Sequence, residues 1–207
     1  MPVHEWGSTR ADVPGLLLLQ EIFGVSGYIK QRAADLAALG YYVIAPELYW
    51  RLDENEVEEL QQAMEIAGRL DWGQAVTDAV AALDHLRERG KLTGVVGFCF
   101  GGGLAFNVAA VSSPDVLVSY YGSALPRLLN LAPKVSATSL HHFGNADTYL
   151  DADAVIPALG DAEIHRYDGA GHAFDNPMPV FHHAEASELA WRRTTDFLTR
   201  NLPTSQG

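Results

Sequence analysis

The chain has 207 residues, 26 acidic and 14 basic, giving a net charge of −12; 48% of residues are apolar and 19% charged. A balance this negative argues against nucleic acid and anionic membranes as partners. A single cysteine excludes an internal disulfide.

The length suits one domain, residues 1–207, burying roughly 70–75% of its unfolded surface. No signal peptide is read at the amino terminus, and apolar runs such as Gly15–Leu19 are too short to span a bilayer. The expectation is a soluble, cytoplasmic protein, a monomer or small homo-oligomer, whose thiol stays reduced.

In chain order, Met1–Pro14 is polar and irregular, with room for one edge strand at most. Gly15–Gln20 is an apolar run bounded by turn residues, the pattern of a strand buried on both faces. The loop Glu21–Gly27 leads to a helix over Tyr28–Leu39 stopped by Gly40, then to a strand over Tyr41–Ala45 closed by Pro46. After a loop at Glu47–Asp53, the pattern predicts a helix over Asp53–Leu70. Its acidic start suits the macrodipole, and its carboxylates read as a solvated face rather than a metal site. A second helix over Asp71–Arg89 repeats Ala75, Val76, Ala79, Val80, Leu83 and Leu86 at helical spacing and ends at Gly90. A strand at 93–98 precedes a helix to about Val111. Strands at Val116–Tyr120, Ser136–Phe143 and Asp161–Tyr167 follow, with a short helix around Ala152–Leu159 and a closing helix over Val180–Asn201. This alternation predicts an α/β fold, an open and mainly parallel sheet with helices on both faces.

Gly97-Phe98-Cys99-Phe100-Gly101 stands between the strand at 93–98 and the helix after it. A strand, a sharp turn and a helix around G-x-C-x-G form a nucleophile elbow, with cysteine where serine is more usual. Small residues are needed two before and two after the nucleophile, because strand and helix backbones approach closely there. The helix N-terminus points free N–H groups at the site, favouring a thiolate and an adjacent oxyanion.

In such a sheet the site lies beyond the carboxyl ends of the strands. Glu21, Cys99, Asp147 and His172 all fall there. Nucleophile, acid and histidine in that order suit a triad: His172 takes the Cys99 proton, and Asp147 orients the imidazole. The backbone N–H groups of Phe100 and Ile22 would form the oxyanion hole. His141-His142 lies within a strand and His182-His183 begins the last helix; neither pair has the spacing of a zinc site, so no metal is expected.

Six segments together carry a family resemblance: Gln20-Glu-Ile-Phe-Gly-Val25, Ala45-Pro-Glu-Leu-Tyr49, Gly97-Phe-Cys-Phe-Gly-Gly102, Ser119-Tyr-Tyr-Gly122, Gly144-Asn-Ala-Asp147 and Gly169-Ala-Gly-His-Ala-Phe174. With these, over about residues 15–200, the chain resembles the dienelactone hydrolases (carboxymethylenebutenolidases) of the α/β-hydrolase fold. The resemblance implies Cys99, Asp147 and His172 as triad, with Glu21 close to the thiol. It also implies that Arg51 binds a substrate carboxylate, and that Phe23, Tyr121 and Tyr149 wall the pocket. Two departures are visible. Asn176 stands four residues past His172, where members that cleave dienelactone carry a second arginine. The segment before residue 15 is also short, so a family strand there is abbreviated or absent.

The function expected is hydrolysis of a small, anionic ester or lactone through an acyl-thioester on Cys99, with no cofactor, since substitution at a carbonyl needs no redox partner. A thioesterase or general carboxylesterase on the same triad, or a non-catalytic binding protein of the same fold, are the alternatives. Glu21 has two readings: a carboxylate that holds Cys99 as thiol until substrate binds, or a buried glutamate pinned by backbone donors.

Overall fold

A computed structural model describes residues 1–89 and 92–204; the helix stop expected at Gly90 lies outside the described residues. Seven strands form one sheet: β1 (Val3–Trp6), β2 (Gly15–Leu19), β3 (Tyr42–Pro46), β4 (Thr93–Phe98), β5 (Val116–Tyr120), β6 (Thr138–Gly144) and β7 (Glu163–Tyr167). Their order is β1-β3-β2-β4-β5-β6-β7. All neighbours are parallel except β1, which pairs antiparallel with β3, Val3 opposite Pro46. The amino-terminal strand is therefore present, at the edge.

Alternation along the strands sends residues to two cores. On one face Leu16, Leu18, Val43 and Val118 pack against α1 (Gly27–Ala38) and the last long helix, Ala184–Asn201. On the other, Leu17, Leu19, Ile44 and Leu117 pack against α3 (Trp72–Arg87) and α4 (Phe100–Ser112). α4 is buried almost all round, which fits its apolar sequence and its place on the sheet beside α3 and the 3-10 turn at Leu129–Lys134.

Three expected elements are corrected. The helix α2 covers only Leu60–Arg69, because its predicted first turns have partners that hold them outside a helix. The Val57 N–H donates to the Phe23 carbonyl at 3.1 Å, and Glu56 accepts from the Gly27 N–H and pairs with Lys30. Like charges at helical spacing would also have opposed that start. The helix near Ala152 shrinks to α5 (Ala152–Val155), continued by a 3-10 turn at Ile156–Ala158, where Pro157 interrupts the bonding. The closing helix, α6, begins at Ala184 rather than Val180, and His183 is its N-cap: the Nδ1 atom accepts from the Ala186 N–H at 3.3 Å.

The sheet order reverses between β2 and β4, so the loops after these two strands diverge above the sheet and leave a crevice at their carboxyl ends. Glu21 and Cys99 follow those two strands directly.

Candidate active site

Cys99 sits between β4 and α4 with φ 52° and ψ −112°, a strained conformation costing on the order of 1–3 kcal/mol. Its surroundings hold it there. The Cys99 N–H donates to the Tyr120 carbonyl at 3.0 Å, and its own carbonyl accepts from the N–H groups of Gly102, Gly103 and Ser123 at 3.0, 3.2 and 3.1 Å. A Cβ on Gly97 would stand 2.0 Å from the Gly101 oxygen, and one on Gly101 would stand 2.2 Å from the Leu19 oxygen. Both glycines are thus required by backbone contact across the turn.

His172 and Asp147 approach from the loops after β7 and β6. The His172 Nε2 lies 3.0 Å from the Cys99 Sγ, and its Nδ1–H donates to Asp147 Oδ2 at 2.7 Å. Asp147 Oδ1 accepts from the N–H groups of Tyr149 and Leu150 at 2.8 and 3.1 Å. One carboxylate oxygen therefore closes the turn while the other orients the imidazole. Burial works against a charge on His172, but its bonds to Asp147 and Cys99 outweigh that and push its pKa up to about 10.

Glu21 is brought to the same crevice and lines the cavity with Cys99. Its Oε2 accepts from Asn176 Nδ2 at 2.7 Å and its Oε1 from the Tyr121 hydroxyl at 3.5 Å. Side chains, not the expected backbone donors, hold it. Burial raises its pKa to about 7, offset partly by the Asn176 bond and supported by the field of Asp175. Behind it, the Tyr28 hydroxyl lies 3.4 Å from that of Tyr121 and donates to Asp175, which also receives Arg32 in a two-point pair and the Ser187 hydroxyl. Burial keeps both tyrosines well above their ordinary pKa, so they remain donors.

A cavity of about 270 Å³ opens over Cys99 and His172. Phe23 and Tyr149, expected as walls, line it, and so does Ile22. Two expected residues do not. Tyr121 is fully buried behind His172, their rings 5.4 Å apart. Arg51 lies outside the lining: it donates through both terminal nitrogens to Asp78 on α3 and stacks on Trp50, 4.3 Å from the ring centre. Phe100 opens α4, so its N–H has no partner within the helix, and the Ile22 turn is pinned by a 2.8 Å bond from the Tyr49 hydroxyl to the Ile22 carbonyl.

Sequence reasoning missed part of this cavity. Leu60, Met64 and Ala67 of α2 line one side and Phe181 another. Their i, i+4, i+7 spacing was legible, but it reads equally as a core-facing stripe. Asp175 carries no local signal, since Arg32 and Tyr28 reach it across 143 and 147 residues. Among the described residues, no group of three or more His, Cys, Asp or Glu side chains is placed to hold a metal ion. None of the described helices is long and apolar enough to cross a membrane.

The fold and the elbow define an α/β-hydrolase. The family model for the dienelactone hydrolase family matches residues 3–202, and the chain belongs to that family. It is 33% identical to the carboxymethylenebutenolidase of Pseudomonas putida, over 91% of this chain and 86% of that one. It is also 33% identical to carboxymethylenebutenolidase 1 of Cupriavidus pinatubonensis, over 92% and 87%. A crystal structure from Klebsiella pneumoniae, assigned provisionally as a dienelactone hydrolase, superposes with a TM-score of 0.85 at 25% identity, covering 97% of this chain and 93% of that one. The protein is a hydrolase of this type, acting on an ester or lactone.

Proposed function

We propose that the protein cleaves its ester or lactone through a thioester on Cys99, with His172 and Asp147 completing a triad. The observation that carries this reading is the unbroken line from Sγ through imidazole to carboxylate, 3.0 and 2.7 Å, beneath an open cavity. The Cys99 sulfur gives its proton to His172 and attacks the carbonyl carbon. The oxyanion is met by the N–H groups of Phe100 and Ile22, and the leaving alkoxide takes the proton from Nε2. Acylation then changes the histidine. Its raised pKa depends in part on its bond to the sulfur and on the sulfur's charge. Both vanish in the thioester and the alkoxide has carried the proton away, so the imidazole is left neutral and free to take a proton from water. Water attack releases the acid and the proton returns to sulfur.

The test is hydrolysis of p-nitrophenyl acetate by wild type and Cys99→Ala. Turnover lost in the variant supports the reading. Turnover kept in a folded variant refutes it.

A further inference from the structure

Resting on that hydrolase reading, we infer that the cavity selects uncharged esters with an apolar acyl chain and rejects substrates that carry a carboxylate. Apart from Glu21, Ser123, the Tyr149 hydroxyl and the reacting pair, every lining side chain is a hydrocarbon or thioether.

No lysine or arginine is among the residues lining this cavity. Arg51 donates one N–H from each terminal nitrogen to Asp78, which holds it away from the cavity lining, and Asp78 Oδ2 also accepts from Trp50 Nε1 at 3.0 Å. Asn176 has its amide N–H on Glu21 and its oxygen on the Met178 N–H, at 2.7 and 2.9 Å. A substrate carboxylate would therefore leave water with no cation to pair with, and with Glu21 as a neighbour. An apolar chain meets the opposite conditions.

The wall facing the acyl group comes from α2. Leu60, Met64 and Ala67 turn to the cavity while Ala63 and Ile66 of the same helix pack into a small core with Phe23 and Tyr49. Met64 is 54% exposed, so it stands at the mouth, where its flexible thioether adapts to different chains.

The experiment compares p-nitrophenyl methyl adipate with p-nitrophenyl hydrogen adipate, a pair of nearly equal size that differs by one charge. Cys99→Ala provides the background. The expected kcat/KM is at least about 100-fold higher for the neutral ester, and the ratio persists at about 0.5 M salt, where repulsion from the net charge is screened. Free-acid turnover within about tenfold of the methyl ester, or faster, overturns the inference and leaves the hydrolase reading standing. Cys99-dependent turnover of neither ester overturns the reading beneath it as well. Met64→Arg places a cation at the mouth on an exposed position that tolerates it. It should improve the free acid relative to the methyl ester by about tenfold, and an unchanged ratio contradicts the wall assigned here. Arg51→Gln that slows the free acid alone by about tenfold would show that Arg51 reaches the substrate, and would also overturn the inference.

Discussion

Cys99, His172 and Asp147 stand on loops that leave the ends of β4, β7 and β6, whereas the opposite wall of the cavity comes from α2 and the segment around Phe181. The polar floor is over-determined. Backbone bonds fix Cys99 from both sides, and two N–H groups fix Asp147 before it touches the imidazole. The wall is held by the packing of a ten-residue helix over Phe23, Tyr49 and Val57. One partly exposed ion pair from Arg69 to Glu54 and the turn that bonds the Phe181 N–H to the Met178 carbonyl also hold it. On the proposed reading, chemistry rests on what the sheet makes rigid, and selectivity on what can vary without disturbing it.

The largest effect expected is on the floor. Cys99→Ala should lower ester hydrolysis by 10³-fold or more with the fold retained, read by initial rates and circular dichroism. If the wall or the oxyanion donors did most of the work, much of the rate would survive. Asp147→Asn comes next, at about 10³–10⁴-fold in kcat with KM little changed, because the amide offers Nδ1–H a weaker and misdirected partner. A loss confined to KM would move Asp147 from the floor to substrate binding.

Glu21 lies between the two regions and gives a stability prediction. Its folded pKa of about 7 stands above the ordinary 4.5, so the folded state holds a proton that the unfolded chain releases in that window. Stability should therefore fall as pH rises from about 4.5 to about 7 and level off above, by on the order of 3 kcal/mol in total. Denaturation of wild type against Glu21→Gln reads this as a difference between the two that grows across the window. A difference independent of pH would contradict it. The smallest effect is on the wall: Met64→Ala should change the preference between long and short acyl chains by about two- to fivefold and leave the rate on an acetyl ester nearly unaltered.

The floor was legible in sequence for a physical reason. G-x-C-x-G is local, and the clash a Cβ on Gly97 or Gly101 would make with neighbouring backbone is imposed by the turn itself. The strands were legible too, as apolar runs with two buried faces, and β5 falls at Val116–Tyr120 as expected. What depended on distant partners was not. The acidic run after Asp53 carries a helix-like pattern, yet Lys30, the Gly27 N–H and the Phe23 carbonyl claim it from 26 to 34 residues away. Arg51 sits in the expected motif, but nothing local shows that Asp78, 27 residues on, would bind it. Tyr121 follows β5 at the right place, but its ring packs behind His172 rather than into the cavity.

The most direct test of the account is acid-quenched intact-mass spectrometry during turnover of p-nitrophenyl butyrate, followed by peptide mapping. One butyryl group is expected on Cys99 itself, located by fragmentation within its peptide, discharged by hydroxylamine and absent in Cys99→Ala. Steady turnover with the group on Ser123, whose hydroxyl lies 3.9 Å from the sulfur, or with no acylated protein in a burst-competent sample, would contradict it.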